Sequence, residues 1–303
     1  MESHRMDVWL NGKFVDRNEA KVSVFDAGFQ HAVGVFETML VRNGCVFRIE
    51  QHLERLAASA RVLRLTERLR TDPLAEAVEM TVSRNKLDAA RVRLTLTGGD
   101  LNLLQSSGRS SQDPTILIVA QPPTEYPEAF FKNGVRVSIA ESRDNPFHIM
   151  AGHKTLNYWP RIQALQLAGT QQASEALWFS VSNHLVGGCV SNAFLIKDRT
   201  LRTPIARGEE SEDAIPSCVL PGITRRAVIE LAEREGLHVE KRMLTIDDVL
   251  SADEVFLTNS SWGILPIVHV ERESIDSGEP GPITQQLRQA WLDLVQNETA
   301  TTS

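Results

Sequence analysis

The chain has 303 residues, 42% of them hydrophobic and 23% charged, enough to bury a substantial core and to form two domains of ordinary size. A formal net charge of −7 with no run of Lys or Arg excludes a nucleic-acid surface. Three cysteines (Cys45, Cys189, Cys218) lack metal-ligand spacing and an even count for disulfides, and no stretch reaches the roughly 20 apolar residues of a membrane span, so a cytoplasmic, metal-free chain that enters no membrane is expected.

Residues 8–10 and 13–15 flank Asn11-Gly12, a dipeptide that supplies the positive φ angles of a tight hairpin. Residues 35–41 and 45–47 repeat that signal around Asn43-Gly44. Leu53, Leu56, Ala57, Ala60 and Leu63 then fall at helical spacing, which predicts a helix over residues 50–65. A second helix is expected over 74–86, followed by strands at 91–97 and 115–119. Pro122, Pro123 and Pro127 interrupt the pattern, because proline lacks the amide donor that strands and helix interiors use. The expected organisation is an N-terminal domain over 1–122, a linker over 123–127 and a C-terminal domain over 128–303.

Beyond the prolines the pattern predicts a strand over 135–140, a helix that includes 161–167, short strands at 176–180, 193–197 and 255–258, and a helix from about 222 to 234. Residues 207–216 are acidic and poor in apolar side chains, the composition of a surface loop. The class is α+β.

Four segments carry the chemistry. Lys154 lies in Gly152-His153-Lys154-Thr155-Leu156-Asn157-Tyr158. A lysine amine condenses with an aldehyde only when neutral, and a lysine taken alone is ordinarily a solvated surface group, so its context has to carry the reading. Leu220-Pro221-Gly222-Ile223-Thr224-Arg225 leads into a helical pattern, with Gly222 at the start and the amides of Ile223 and Thr224 pointing out of the N-terminus, where phosphate binds well. Ser260-Ser261 follows the apolar run 255–257 and offers hydroxyl and amide donors, and Ser191-Asn192 forms a turn. Each segment alone is explained by an ordinary capped helix or a common serine pair. Together, one covalent anchor and two phosphate-binding segments point to pyridoxal 5'-phosphate.

In this order and spacing the segments resemble class IV aminotransferases, the fold-type IV pyridoxal-phosphate enzymes, which include branched-chain and D-amino-acid aminotransferases and 4-amino-4-deoxychorismate lyase. The resemblance extends through Phe25-Asp26-Ala27-Gly28-Phe29, Gly34-Val35-Phe36-Glu37-Thr38 and Glu50-Gln51-His52-Leu53-Glu54-Arg55-Leu56. It implies a small α/β N-terminal domain, a larger barrel-like C-terminal domain, the cofactor between them, and a homodimer acting on small amino and oxo acids. By position it makes Lys154 the Schiff-base lysine, Arg55 the phosphate arginine, and Gly222, Ile223, Thr224, Ser260 and Ser261 the phosphate-binding set. Tyr158, Ser191 and Asn192 fall near the ring.

Three departures bear on activity. The family's glutamate partner of the pyridine nitrogen falls on Gly187, and losing that carboxylate weakens the cofactor as an electron sink. Restoring it as Gly187→Glu is expected to raise the rate of α-proton exchange if the electron sink limits turnover. Arginines that clamp carboxylates in the branched-chain and D-amino-acid subgroups fall on Leu40 and Gly98. The segment Thr258 to Pro266 looks closer to the lyase subgroup. An aminotransferase is expected first, the lyase second, and a cofactor-binding protein with weak catalysis third. His148 and His153 are read as loop histidines, His153 beside the lysine, and Trp159 and Trp262 as candidate pocket walls.

Overall fold

The computed structural model describes residues 6–100 and 114–300. In the first half, β1 (Asp7–Leu10) and β2 (Lys13–Asp16) form the expected hairpin, with Asn11 at φ 46° and Gly12 at φ 87°. After α1 (Ala27–His31), β3 (Gly34–Arg42) and β4 (Cys45–Val46) turn through Asn43 and Gly44, again with positive φ. α2 (Ile49–Val62), α3 (Thr71–Arg84), β5 (Ala90–Thr97) and β6 (Ile116–Gln121) follow. The strands make one antiparallel sheet in the order β2-β1-β6-β5-β3-β4.

Alternation along β3 gives its two faces different tasks. Val35, Met39 and Val41 join Leu53, Leu56, Leu74 and Val78 of α2 and α3 in one core, and Glu37 shares their face. Phe36, Thr38 and Leu40 point the other way.

In the second half, α4 (Glu128–Lys132), β7 (Val135–Asp144), α5 (Trp159–Thr170), β8 (Glu175–Ser180), β9 (Leu185–Gly188) and β10 (Asn192–Lys197) come first. β11 (Thr200–Thr203), α6 (Ile223–Arg234), β12 (His238–Lys241), α7 (Ile246–Leu250) and β13 (Glu254–Asn259) follow. The series ends with β14 (Gly263–Val270), β15 (Glu273–Ser274) and α8 (Pro282–Glu298).

The nine strands run β12-β11-β10-β13-β14-β7-β8-β9, with β15 on β14. A short turn links β9, at one end of this path, directly to β10, the third strand from the other end, so the sheet must curl on itself. β8, β10 and β13 are buried along almost their whole length, which is why they read as continuous apolar runs rather than alternating ones. Phe194 and Phe256 stack in the interior with ring centres 5.0 Å apart. No helix among the described residues is long and apolar enough to cross a membrane.

The chain divides into two compact units. One contains the residues up to Thr124 with His153–Asn157 and the chain from Val295, and the other contains Glu125–Gly152 and Tyr158–Leu294. The boundary at Thr124 lies inside the proline-rich stretch, but Lys154 does not go with residues 128–303. Its segment joins the first unit because it hydrogen-bonds along β3. Residues 207–216 are the expected surface loop, without helix or strand and mostly exposed, and Glu209 in it pairs with Arg225 at 2.7 Å and with Lys241 at 2.8 Å.

Candidate active site

In the first unit, Phe36 donates its amide to the Lys154 carbonyl at 2.9 Å, and Leu156 donates to the Gly34 carbonyl at 3.0 Å. Val35 and Thr155 form an antiparallel bridge between these bonds. Gly34 permits the approach: a Cβ there would lie 2.6 Å from both Leu156 Cδ1 and the Leu96 carbonyl oxygen. The Lys154 ammonium lies 4.5 Å from the centre of the Phe36 ring. The Arg93 guanidinium lies 3.7 Å from the same ring. Strand register explains Arg93, because it sits opposite Thr38 and is therefore a diagonal neighbour of Phe36 on one face. Sequence reasoning looked for a carboxylate clamp at Leu40 and Gly98 and passed over Arg93; the signal was its place in the alternating run Arg91-Val92-Arg93-Leu94.

On the opposite face of β3, Glu37 takes a two-pronged bond from Arg55, with Nε at 2.8 Å and NH2 at 2.6 Å. His52 Nδ1 lies 2.7 Å from Glu37 Oε2. Burial alone would push the Glu37 carboxyl up, but the Arg55 guanidinium and the His52 bond outweigh it and hold the group at about 2. Burial lowers the His52 pKa despite Glu37, and the charges of Arg55 and Lys154 add to the effect. Arg55 is thus oriented by a dedicated carboxylate rather than lying loose on α2. His153 is held by Ser59 of α2, Nδ1 to Oγ, at 3.0 Å.

In the second unit, Gly222 is the N-cap of α6 and no side chain caps the helix, which leaves the Ile223 and Thr224 amides as donors at its positive end. Gly222 is required by packing: a Cβ would lie 2.0 Å from Asn192 Oδ1, whose Nδ2 donates to the Leu220 carbonyl at 2.8 Å. Asn192 thereby fastens the turn after β9 to the start of α6. Asn259 Nδ2 donates to the Val190 carbonyl at 3.3 Å, tying the same turn to the loop after β13. Turn, helix start and loop form one cluster.

The loop after β13 departs from expectation in one respect. The amides of Ser261 and Trp262 both donate to Asn259 Oδ1, at 2.8 and 3.0 Å, so the amide donor expected at Ser261 is spent inside the loop. Its remaining offer is the hydroxyls of Ser260 and Ser261. Tyr158 is the half-buried residue preceding α5. The two tryptophans do not form a shared wall: Trp159 is exposed, and Trp262 belongs to the core, edge-on to Tyr126 at 5.5 Å.

Position 187 is glycine in a conformation that favours it, φ 153°, and a Cβ there would lie 2.5 Å from the Ser191 carbonyl oxygen. A carboxylate is nevertheless present close by. Glu175 of β8, fully buried, accepts from the amides of Cys189 and Val190 and from the Ser191 hydroxyl. Glu175 carries no signal in the sequence, because its bonds to the turn run across strands. Among the described residues no group of three or more His, Cys, Asp or Glu could hold a metal ion.

A family model described as Amino-transferase class IV matches residues 34–270. A Methanocaldococcus jannaschii protein, provisionally named a branched-chain-amino-acid aminotransferase, is 33% identical over 95% of this chain and 96% of its own length. D-alanine aminotransferases of Bacillus, Listeria and Staphylococcus match at 27% to 29% identity. The structure of a T.th. branched-chain amino acid aminotransferase with pyridoxamine 5'-phosphate superposes with a TM-score of 0.87 at 26% identity, covering 97% of this chain and 95% of that one. That of 4-amino-4-deoxychorismate lyase from Pseudomonas aeruginosa gives 0.78 at 27% identity, over 96% and 98%.

Proposed function

The chain belongs to the class IV aminotransferase family, and on that footing we propose that it is a pyridoxal-phosphate-dependent enzyme transferring the amino group between a branched-chain-like amino acid and a 2-oxo acid. The observation that carries this reading is the seating of Lys154, bonded through its backbone to β3 with its ammonium over Phe36. The donor set suits the cofactor: an amine for the aldehyde, and for the phosphate an uncapped helix start and an arginine aimed by Glu37. The named relatives, and the pyridoxamine 5'-phosphate found with one structural neighbour, support the same choice.

When bound, the cofactor supplies a ring that withdraws the electron pair left on the substrate α-carbon. Lys154 would hold the cofactor's aldehyde covalently, and its amine, when free, would take and return the proton of the substrate α-carbon. Arg55, the Ile223 and Thr224 amides, and the Ser260 and Ser261 hydroxyls hold phosphate. Tyr158, Ser191 and Asn192 line the ring. Arg93, which shares the Phe36 ring with Lys154, receives a substrate carboxylate. The reading carries a cytoplasmic homodimer with amino and oxo acids as its small-molecule partners.

Asn259 favours a second reading, 4-amino-4-deoxychorismate lyase, because its side chain fills the loop after β13 where a transaminase of the branched-chain type is expected to present Gly-Thr-Ala. The test is to load the purified protein with pyridoxal phosphate and add L- and D-amino acids and 4-amino-4-deoxychorismate. Conversion of the visible band to the amine form of the cofactor by branched-chain donors, with release of the 2-oxo acid, is expected. Pyruvate release without that conversion would assign the lyase. A band that no donor alters would assign a cofactor-binding protein with weak catalysis.

A further inference from the structure

Glu175 opens β8 and is a fully buried carboxylate with no assigned task. Its Oε1 accepts from the amides of Ala176 and Cys189, each at 3.0 Å. Oε2 accepts from the Val190 amide at 3.2 Å and from the Ser191 hydroxyl at 3.0 Å. All four donors are neutral, and no Lys, Arg or His among the described residues forms an ion pair with this carboxylate. Arg161 of α5 bonds the Gly188 and Cys189 carbonyls in the same turn, but its ion pair is with Asp144 at 2.6 Å. The neighbouring Cys189 thiol, pushed up to about 12 by burial and by Glu175, is neutral and supplies no charge. Burial pushes the Glu175 carboxyl up, and the bonds from the Ala176, Val190 and Cys189 amides oppose that shift; a carboxylate held in this way without a cation of its own gains from a ligand that brings one.

The glycines before the turn make room for this arrangement. A Cβ on Gly188 would lie 2.3 Å from Ser191 Oγ and 2.9 Å from Glu175 Oε2. A Cβ on Gly187 would lie 2.5 Å from the Ser191 carbonyl oxygen. Side chains at 187 and 188 are therefore incompatible with the Ser191–Glu175 bond as it stands. With glycine at both positions on β9, the carboxylate at this turn reaches across from β8.

We infer that the Ser191–Glu175 pair replaces the carboxylate expected at position 187, with the Ser191 oxygen accepting the N–H of the cofactor's pyridine ring. The Ser191 hydroxyl proton is committed to Glu175, so the oxygen presents its lone pairs elsewhere, and its residue is only half-buried while Glu175 is sealed behind it. The carboxylate charge polarises the hydroxyl and supports a cation in front of it. The proton stays on the ring nitrogen; Ser191 and Glu175 hold it there and do not remove it. This inference rests on the pyridoxal-phosphate reading.

The test uses the full chain loaded with pyridoxal phosphate, as wild type, Ser191→Ala, Ser191→Thr, Glu175→Gln and the Ser191→Ala/Glu175→Gln double variant. Two readouts are followed: the pH midpoint of the visible band and the cofactor Kd. A ring nitrogen that loses its partner loses its proton, and the lysine-linked nitrogen then keeps its own proton to higher pH. Ser191→Ala and Glu175→Gln are expected to raise the midpoint by about 1 pH unit and the Kd about tenfold. The double variant should go no further than the larger single effect, and Ser191→Thr should keep the wild-type midpoint. A role confined to folding would lower thermal stability and leave the midpoint in place. Should Glu175→Gln fail to fold, the two Ser191 variants decide. A wild-type midpoint in Ser191→Ala, with cofactor still fixed to Lys154, overturns the inference alone. A wild type that never links the cofactor to Lys154 overturns the functional reading and the inference with it.

Discussion

The peptide N–H of Phe36 donates to the Lys154 carbonyl at 2.9 Å, and the ammonium of the same lysine lies 4.5 Å from the Phe36 ring centre. One residue of β3 thus fixes both the backbone and the side chain of the proposed catalytic lysine. Gly34, two positions before it, allows the approach. Gly34→Ala would press on the Leu96 carbonyl, which cannot move without disturbing the sheet. It is expected to cost about 2 kcal/mol in urea denaturation and to reduce cofactor attachment to Lys154 at least tenfold.

Behind β3, the Glu37 carboxyl is held at about 2 against an ordinary value of 4.5. A carboxylate with a depressed folded-state pKa stabilises the fold fully above its ordinary value and loses that contribution as pH falls towards the depressed one. The contribution is roughly 3 kcal/mol at neutral pH. Glu37→Gln is expected to be less stable by that order at pH 7, with the gap to wild type shrinking by roughly 1 kcal/mol at pH 4 and 2 kcal/mol at pH 3. Denaturant titrations of both proteins across this range are the check; a gap that does not change with pH would remove the ionised carboxylate from the account.

Arg93 is proposed to meet a substrate carboxylate. Arg93→Ala should raise KM for the acid it recognises by about tenfold to a hundredfold, as expected for a lost charge-assisted bond, with a smaller change in kcat. Steady-state kinetics with monocarboxylic and dicarboxylic donors would show which acid depends on it. Equal kinetics for wild type and variant would release Arg93 from substrate binding.

Gly187→Glu reads from sequence as a repair. The geometry reverses that expectation, because φ 153° strains any L side chain and the Cβ falls on the Ser191 carbonyl oxygen. The variant is expected to lose about 2 kcal/mol of stability and to gain no rate of α-proton exchange. A faster exchange in a variant as stable as wild type would return position 187 to the site.

Much of the fold was legible because local chemistry agreed with the final structure. Asn11-Gly12 and Asn43-Gly44 specified hairpins, and the Leu53, Leu56 and Ala60 spacing specified α2. Asn192 and Gly222, singled out from two separate segments, do pack together. Less accessible was anything decided across strands. Lys154 joins the first unit through backbone bonds to β3, which no periodicity encodes. Arg93 reaches Phe36 by diagonal register, and Glu175 reaches the turn after β9 from the neighbouring strand. Asn259 spends the Ser261 amide on its own loop, a local bond hidden in a run of ordinary polar residues.

The most direct measurement is borohydride reduction of the protein incubated with pyridoxal phosphate, followed by peptide mapping by mass spectrometry. The account predicts a single reduced phosphopyridoxyl adduct on Lys154, absent from Lys154→Ala. An adduct on another lysine, or none in the wild type, would contradict it.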